Sequence, residues 1–188
     1  MRKSIRCGLL ICSLSGFLQA SAVPQAVRVG ARKVRPDTAV SSLSVSASPT
    51  SVSFQLQSKG VATGSSAVAI TTTWGGAVCL VTCTIKLYGY FSNATAALSG
   101  GSPVVNIPTS EVLGQVTTGT PTTFTAFTQS APLGGAGASL LLFTQTFALV
   151  ALGGSRADAL NLEINLASQP QLPAGTYSGT LFIQAQSL

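Results

Sequence analysis

Leu160-Asn161-Leu162-Glu163-Ile164-Asn165-Leu166 alternates apolar and polar residues without a break. In an extended chain that period of two puts the four apolar side chains on one side and Asn161, Glu163 and Asn165 on the other. A helix would split the same four between opposite sides of its cylinder. The segment is therefore a strand with one buried face.

The pattern recurs in both directions along the chain. Leu43, Val45 and Ala47 alternate with serines, and Val52, Phe54 and Leu56 alternate with Ser53, Gln55 and Gln57. Val68, Ile70, Thr72 and Trp74 share a face; Ile85, Leu87, Gly89 and Phe91 oppose Lys86, Tyr88 and Tyr90. Residues 140–150 form a longer apolar run, and in residues 177–186 Leu181, Ile183 and Ala185 oppose Phe182, Gln184 and Gln186. Gly/Pro punctuation separates the runs at Ser48-Pro49, Lys59-Gly60, Gly100 to Pro103, Gly134-Gly135, Gly153-Gly154 and Pro173 to Gly175. Short half-buried strands joined by such turns predict an all-β chain, an antiparallel immunoglobulin-like β-sandwich of about seven or eight strands. Residues 100–137 carry weak strand signals and read largely as loop, with short helical turns near Asn93 to Leu98 and Pro108 to Leu113. An eight-stranded outer-membrane barrel is the rival architecture, but it needs aromatic girdles and a polar lumen. With 6% aromatic and 7% charged residues, this chain supplies neither.

The chain has no histidine and only four acids, Asp37, Glu111, Asp158 and Glu163. Histidine is the usual general base near neutral pH and the commonest metal ligand. The expectation is a non-catalytic protein with no catalytic residues, no metal site and no cofactor. Asp158 and Glu163 fall on opposite faces of a strand and make no carboxylate pair, whereas Arg156 and Asp158 share a face and read as a surface ion pair. Gly134 to Gly137 lack the lysine and the strand–helix context of a phosphate loop.

The N-terminus reads as a secretory signal. Arg2, Lys3 and Arg6 precede the apolar run Cys7 to Leu18, and Gln19-Ala20-Ser21-Ala22 ends in a small-x-small cleavage pattern. Twelve apolar residues are too few to span a bilayer, so residues 1–22 are expected to be removed, with no transmembrane span in the mature chain. The predicted organisation is a signal peptide (1–22), a basic and flexible segment (23–42) and one sandwich domain (43–188). Much of the +6 net charge belongs to the signal and to Arg28, Arg32, Lys33 and Arg35. From Thr38 onward, Lys59, Lys86 and Arg156 balance the three remaining acids, which leaves no basic face for nucleic acid.

Export to the periplasm, the cell surface or the medium also frames the cysteines. Loss of the signal leaves Cys79 and Cys83, and in an oxidising compartment a close pair closes. A continuous strand would hold them roughly 13 Å apart, beyond disulfide reach, so Cys79 to Cys83 is expected to turn back as a stapled loop.

Pro173-Ala174-Gly175-Thr176-Tyr177, leading into a final alternating strand, resembles the closing motif of spore coat protein U-like domains and related chaperone–usher pilins. Ser48-Pro49-Thr50-Ser51-Val52-Ser53-Phe54 is similar to the first strand of many bacterial immunoglobulin-like surface modules. The resemblance implies a fold completed by a strand from a neighbouring subunit and delivered by an assembly chaperone, with main-chain hydrogen bonds and alternating side chains binding the donor. The donor candidate is Val27, Val29 and Ala31, in the same segment that otherwise reads as a flexible leader.

The function expected is an exported structural subunit of a pilus- or coat-like assembly, partnered by copies of itself or related subunits through strand addition. The alternative is a monomeric periplasmic or surface binding module for carbohydrate or protein, using Trp74, Tyr88 and Tyr90. Trp74 also reads as the core tryptophan of a sandwich.

Overall fold

The computed structural model describes residues 25–31, 42–131, 133–151 and 153–188, with backbone alone at 25–26, 31, 77–81 and 148–151. The expected signal peptide lies outside the described residues. The described chain is all-β in two sheets, with a single turn of 3-10 helix at Thr109–Glu111.

The first sheet holds β1 (Gln25–Ala31), β3 (Ser51–Phe54), β6 (Ala77–Tyr90), β11 (Ser139–Ala151) and β13 (Tyr177–Ser187), in the order β11-β6-β13-β1-β3. Short β7 (Leu98–Gly100) pairs with β13, and β8 (Val105–Ile107) pairs with β7. The second sheet runs β10-β9-β12-β5-β2, from β10 (Thr125–Ala126), β9 (Val112–Val116), β12 (Gly154–Asn165) and β5 (Val68–Trp74) to β2 (Leu43–Ser48). Short β4 (Val61–Thr63) pairs with the far end of β12. Thirteen strands among the described residues exceed the expected seven or eight, because β1 and the short β4, β7, β8 and β10 extend the two sheets.

The alternation seen in the sequence is the inside–outside pattern of the fold. Leu160, Leu162 and Ile164 of β12 are buried, as is Leu166 just past its end; so are Ile85 and Leu87 of β6 with Phe91 just past it, and Leu181, Ile183 and Ala185 of β13. They form one core between the sheets, with Phe91 and Phe127 edge-to-face at 5.3 Å. Burying apolar side chains at about 25 cal/mol per Å2 makes this core the main stabilising term.

Residues 100–137 are more ordered than the loop expected of them. They contribute β8, the 3-10 turn, β9 and β10, and Phe127 is fully buried. Ile107, Val112 and Val116 also reach the core. The apolar positions are too sparse in sequence to show a period, so their strand character comes from cross-strand pairing: β9 with β12, β10 with β9 and β8 with β7.

Among the described residues every strand pairing is antiparallel except one. β1 runs parallel to β13, with Ala26 opposite Ser178 through to Ala31 opposite Ile183, and antiparallel to β3 on its other edge. Residues 25–31, expected as part of a segment ahead of the sandwich, thus lie inside its first sheet.

Candidate functional site

β1 occupies the slot between β13 and β3, the groove on which the strand-addition reading depends. Its own alternation decides its facing. Val27 and Val29 are buried, while Arg28 between them is exposed. Val27 lies opposite Gly179 of β13 and Val52 of β3, and Val29 lies opposite Leu181. The Val29 N–H donates to the Thr50 carbonyl at 2.9 Å. Ala31 pairs through its backbone with Ile183, and its side chain is outside the described residues. Without β1, residues 178–183 of β13 and 51–54 of β3 would present unpaired backbone groups above an open core, a template for any extended chain.

The turn that carries the pilin resemblance leads directly into β13, one wall of this slot. Tyr177 is buried, and its hydroxyl donates to the Pro173 carbonyl at 2.9 Å. Burial raises its phenol above the usual 10.0. Gly175 adopts φ +146° and packs against Gly101, itself at φ +83° under the Tyr177 hydroxyl. Side chains at these two positions would meet strained backbone and the tyrosine at once.

The aromatics expected to face a ligand do not form one surface. Trp74 is half-buried at the end of β5, its ring 5.8 Å from Phe147 and packed against the core. This is the core position the sandwich pattern allowed for it. Tyr88 and Tyr90 point away from the core, as the alternation requires, yet they are only 6% and 7% exposed. Neighbours on the same sheet face cover them, and burial raises the Tyr88 phenol. Tyr90 stacks on Phe182 at 5.4 Å and donates to the Gln184 side-chain oxygen at 3.0 Å. A shallow open cavity of about 490 Å3 is lined by Tyr90, Phe182, Gln184, Ser92 and the loop Leu133-Gly134-Gly135. Phe182 and Gln184 were legible as the outward face of β13; what the sequence did not show is that β13 pairs with β6, which brings Phe182 opposite Tyr90.

The Arg156–Asp158 pair exists but is not a surface pair. Both lie opposite inward positions of β5, Thr72 and Ile70. Asp158 is 3% exposed and receives Arg156 Nε at 3.0 and 2.9 Å on its two oxygens, with the Thr118 hydroxyl at 2.8 Å. The Arg156 guanidinium lies 4.9 Å from the Phe143 ring of the opposite sheet and donates to the Thr118 carbonyl. The pair ties the two sheets and the 117–119 turn together. Glu163 lies on the outward face of β12, opposite in sense to Asp158.

Cys83 is buried on β6, and the side chain of Cys79 lies outside the described residues. Among the described residues no three acidic, histidine or cysteine side chains gather as a metal site, and no helix is long and apolar enough to cross a membrane. No protein-family model matches the chain, and none of the curated proteins compared with it is similar.

Proposed function

We propose that this chain is an exported, non-catalytic structural subunit of a pilus- or coat-like assembly at the cell surface or beyond it, built on an immunoglobulin-like sandwich that assembles by strand addition. The observation that carries the reading is the placement of β1 between β13 and β3, with Val27 and Val29 in the core. A strand held by two backbone ladders and a few core side chains, with no short turn on either side, is the kind of element that can be exchanged with a second copy. In the isolated chain β1 fills that slot itself, so an assembly chaperone is needed only while β1 is displaced. The resemblance of Pro173 to Tyr177 to coat protein U-like and pilin closing turns supports the same reading.

The test compares the full chain with a variant lacking residues 25–31, by size-exclusion chromatography with light scattering, with and without a synthetic peptide of residues 25–34. The full chain is expected to form a ladder of polymers on prolonged incubation. The deletion variant is expected to form none and to retain the peptide. A full chain that stays monomeric at every concentration, beside a deletion variant that ignores the peptide, overturns strand addition.

That outcome would favour the second reading, a monomeric periplasmic or surface binding module. It rests on the open cavity beside the Tyr90–Phe182 stack, whose uncharged aromatic and amide lining suits a sugar face. Glycan binding lost in Phe182→Ala would establish it.

A further inference from the structure

The first sheet ends on β11, whose outer edge is covered only over its first part. There Gln129 exchanges two backbone hydrogen bonds with Ser139, at 2.8 and 3.0 Å, and its side-chain oxygen receives the Leu141 N–H at 2.8 Å. The Leu142 carbonyl accepts from the Thr120 N–H at 3.0 Å. From Phe143 onward none of the described strands pairs with this edge.

The next strand in shows which backbone groups lie along it. Thr84 of β6 exchanges both of its backbone hydrogen bonds with Leu188, at 2.8 and 2.9 Å, on the β13 side. Alternate residues of an antiparallel strand direct their groups to opposite neighbours, so Cys83, Ile85 and Leu87 serve β11. They lie opposite Phe147, Gln145 and Phe143. Thr144 and Thr146, between these, therefore turn N–H and C=O away from β6. The strand is regular here. Its own bulge, at Leu142, comes earlier, and the register shift between Ala148 and Val150 is taken up on β6. That shift falls within Cys79 to Cys83, the stretch expected to turn back as a loop; it stays instead inside continuous β6. Phe143 to Ala151 thus presents roughly 30 Å of straight edge.

We propose that this edge pairs antiparallel with the same edge of a second copy, across a two-fold axis at Thr146. An open edge is satisfied by another strand, and residues 139–151 hold no charge, proline or glycine, the devices that keep edges apart. Thr144 and Thr146 are exposed on the outer face of the sheet, and the Thr146 hydroxyl lies 3.4 Å from that of Thr84. Setting the two copies of Thr146 side by side continues this hydroxyl row across the axis as a cross-strand threonine pair. Thr144 then falls opposite residue 148, and the facing backbones exchange about six hydrogen bonds. On the inner face Gln145 of one copy meets the half-buried Phe147 of the other. Identical copies bring like charges together, so an uncharged edge suits a self-pair. Lys86, the charge on this outer face of β6, lies one strand in, opposite Thr144.

The other outer edges offer less. Ser65 caps β3, donating its N–H to the Ser53 carbonyl at 2.8 Å and accepting the Ser53 N–H on its hydroxyl at 3.2 Å. β10 is only Thr125–Ala126, and β2 runs into Pro49, which has no N–H. A two-fold axis consumes both copies of the β11 edge, so the pairing stops at a dimer. Both β1 slots lie toward the far ends of the joined sheet, so the pairing is independent of strand addition.

Analytical ultracentrifugation of freshly prepared full chain over a range of concentrations tests the proposal. A reversible monomer–dimer equilibrium is expected, with hydrogen exchange at the Thr144 and Thr146 amides slowing as concentration rises. Thr146→Lys sets two charges at the axis and should weaken the dimer about tenfold or more. Thr71→Lys, exposed on the outer face of β5, should leave it unchanged. The exchange measurement needs no variant and decides the matter even where Thr146→Lys melts early. A chain that stays monomeric to its solubility limit, a dimer untouched by Thr146→Lys, or amides whose exchange ignores concentration overturns the pairing. Strand exchange through β1 is told apart by its slow ladder of polymers, which Thr146→Lys should not prevent.

Discussion

Val29 of β1 lies beside Leu181 of β13, both side chains buried, in two strands that run in the same direction. Parallel neighbours need a long crossover connection, and here nearly the whole chain supplies it, since one strand begins the described residues and the other ends them. β1 therefore depends on no short turn for its placement. Side-chain burial and two backbone ladders hold it.

Val27→Ala should lower stability by about 2–3 kcal/mol, read as a shift in the denaturant midpoint, because the fully buried side chain leaves a cavity between β13 and β3. Arg28→Ala, one residue on and exposed, should change stability by no more than about 0.5 kcal/mol. Equal effects at the two positions would show that β1 is not in its slot.

Tyr177→Phe removes the hydroxyl that donates to Pro173 and should cost about 1 kcal/mol. The same variant has a pH signature. Burial raises the Tyr177 and Tyr88 phenols above 10.0, so folding favours their neutral forms. That contribution is complete below pH 10.0 and is lost as pH rises through the elevated folded values, since the unfolded phenols ionise first. Wild-type stability should fall in alkaline solution, and Tyr177→Phe should fall less steeply, measured as Tm between pH 8 and about 11.

The inward ion pair predicts an asymmetry. Arg156→Met leaves the fully buried Asp158 carboxylate with the Thr118 hydroxyl and should cost about 3 kcal/mol or more. Asp158→Asn leaves a guanidinium whose side chain is 28% exposed and should cost only about 1–2 kcal/mol. Urea unfolding of both variants measures the difference; a true surface pair would give small and equal effects.

Gly179→Ala should be among the most damaging single changes in the chain. An added Cβ would collide with the Ala97 carbonyl where the segment leading into β7 crosses β13. Backbone cannot yield as a flexible side chain would, so a loss of about 3 kcal/mol or lower soluble yield is expected. Far-ultraviolet circular dichroism with thermal melting checks it.

Much of the fold was legible in particular residues. The faces of β5, β6, β12 and β13 follow directly from alternation, because a strand with one buried side must repeat every second residue. The 3-10 turn was marked by the Pro108 to Leu113 segment. β9 and β10 were not legible: their apolar residues are few, and their strand geometry comes from neighbours distant in sequence. The burial of Asp158 was hidden for a related reason. Alternation puts Arg156 and Asp158 on the same face as Leu160, but whether that face is still covered at the start of β12 depends on how β5 and the 117–119 turn pack over it.

The candidate site divides in the same way. The sequence by itself determined the strand class, the scarcity of chemically active side chains and the outward direction of Tyr88 and Tyr90, whereas residues 25–31 read as part of a flexible segment. These are properties of local period and composition. Only the tertiary structure decided that β1 joins the sheet parallel to β13, that Phe182 meets Tyr90, and that β12 pairs with both β5 and β9. Each of these is a pairing between segments far apart in the chain, and pairing is selected by complementary backbone edges and shared core volume, which no single segment carries.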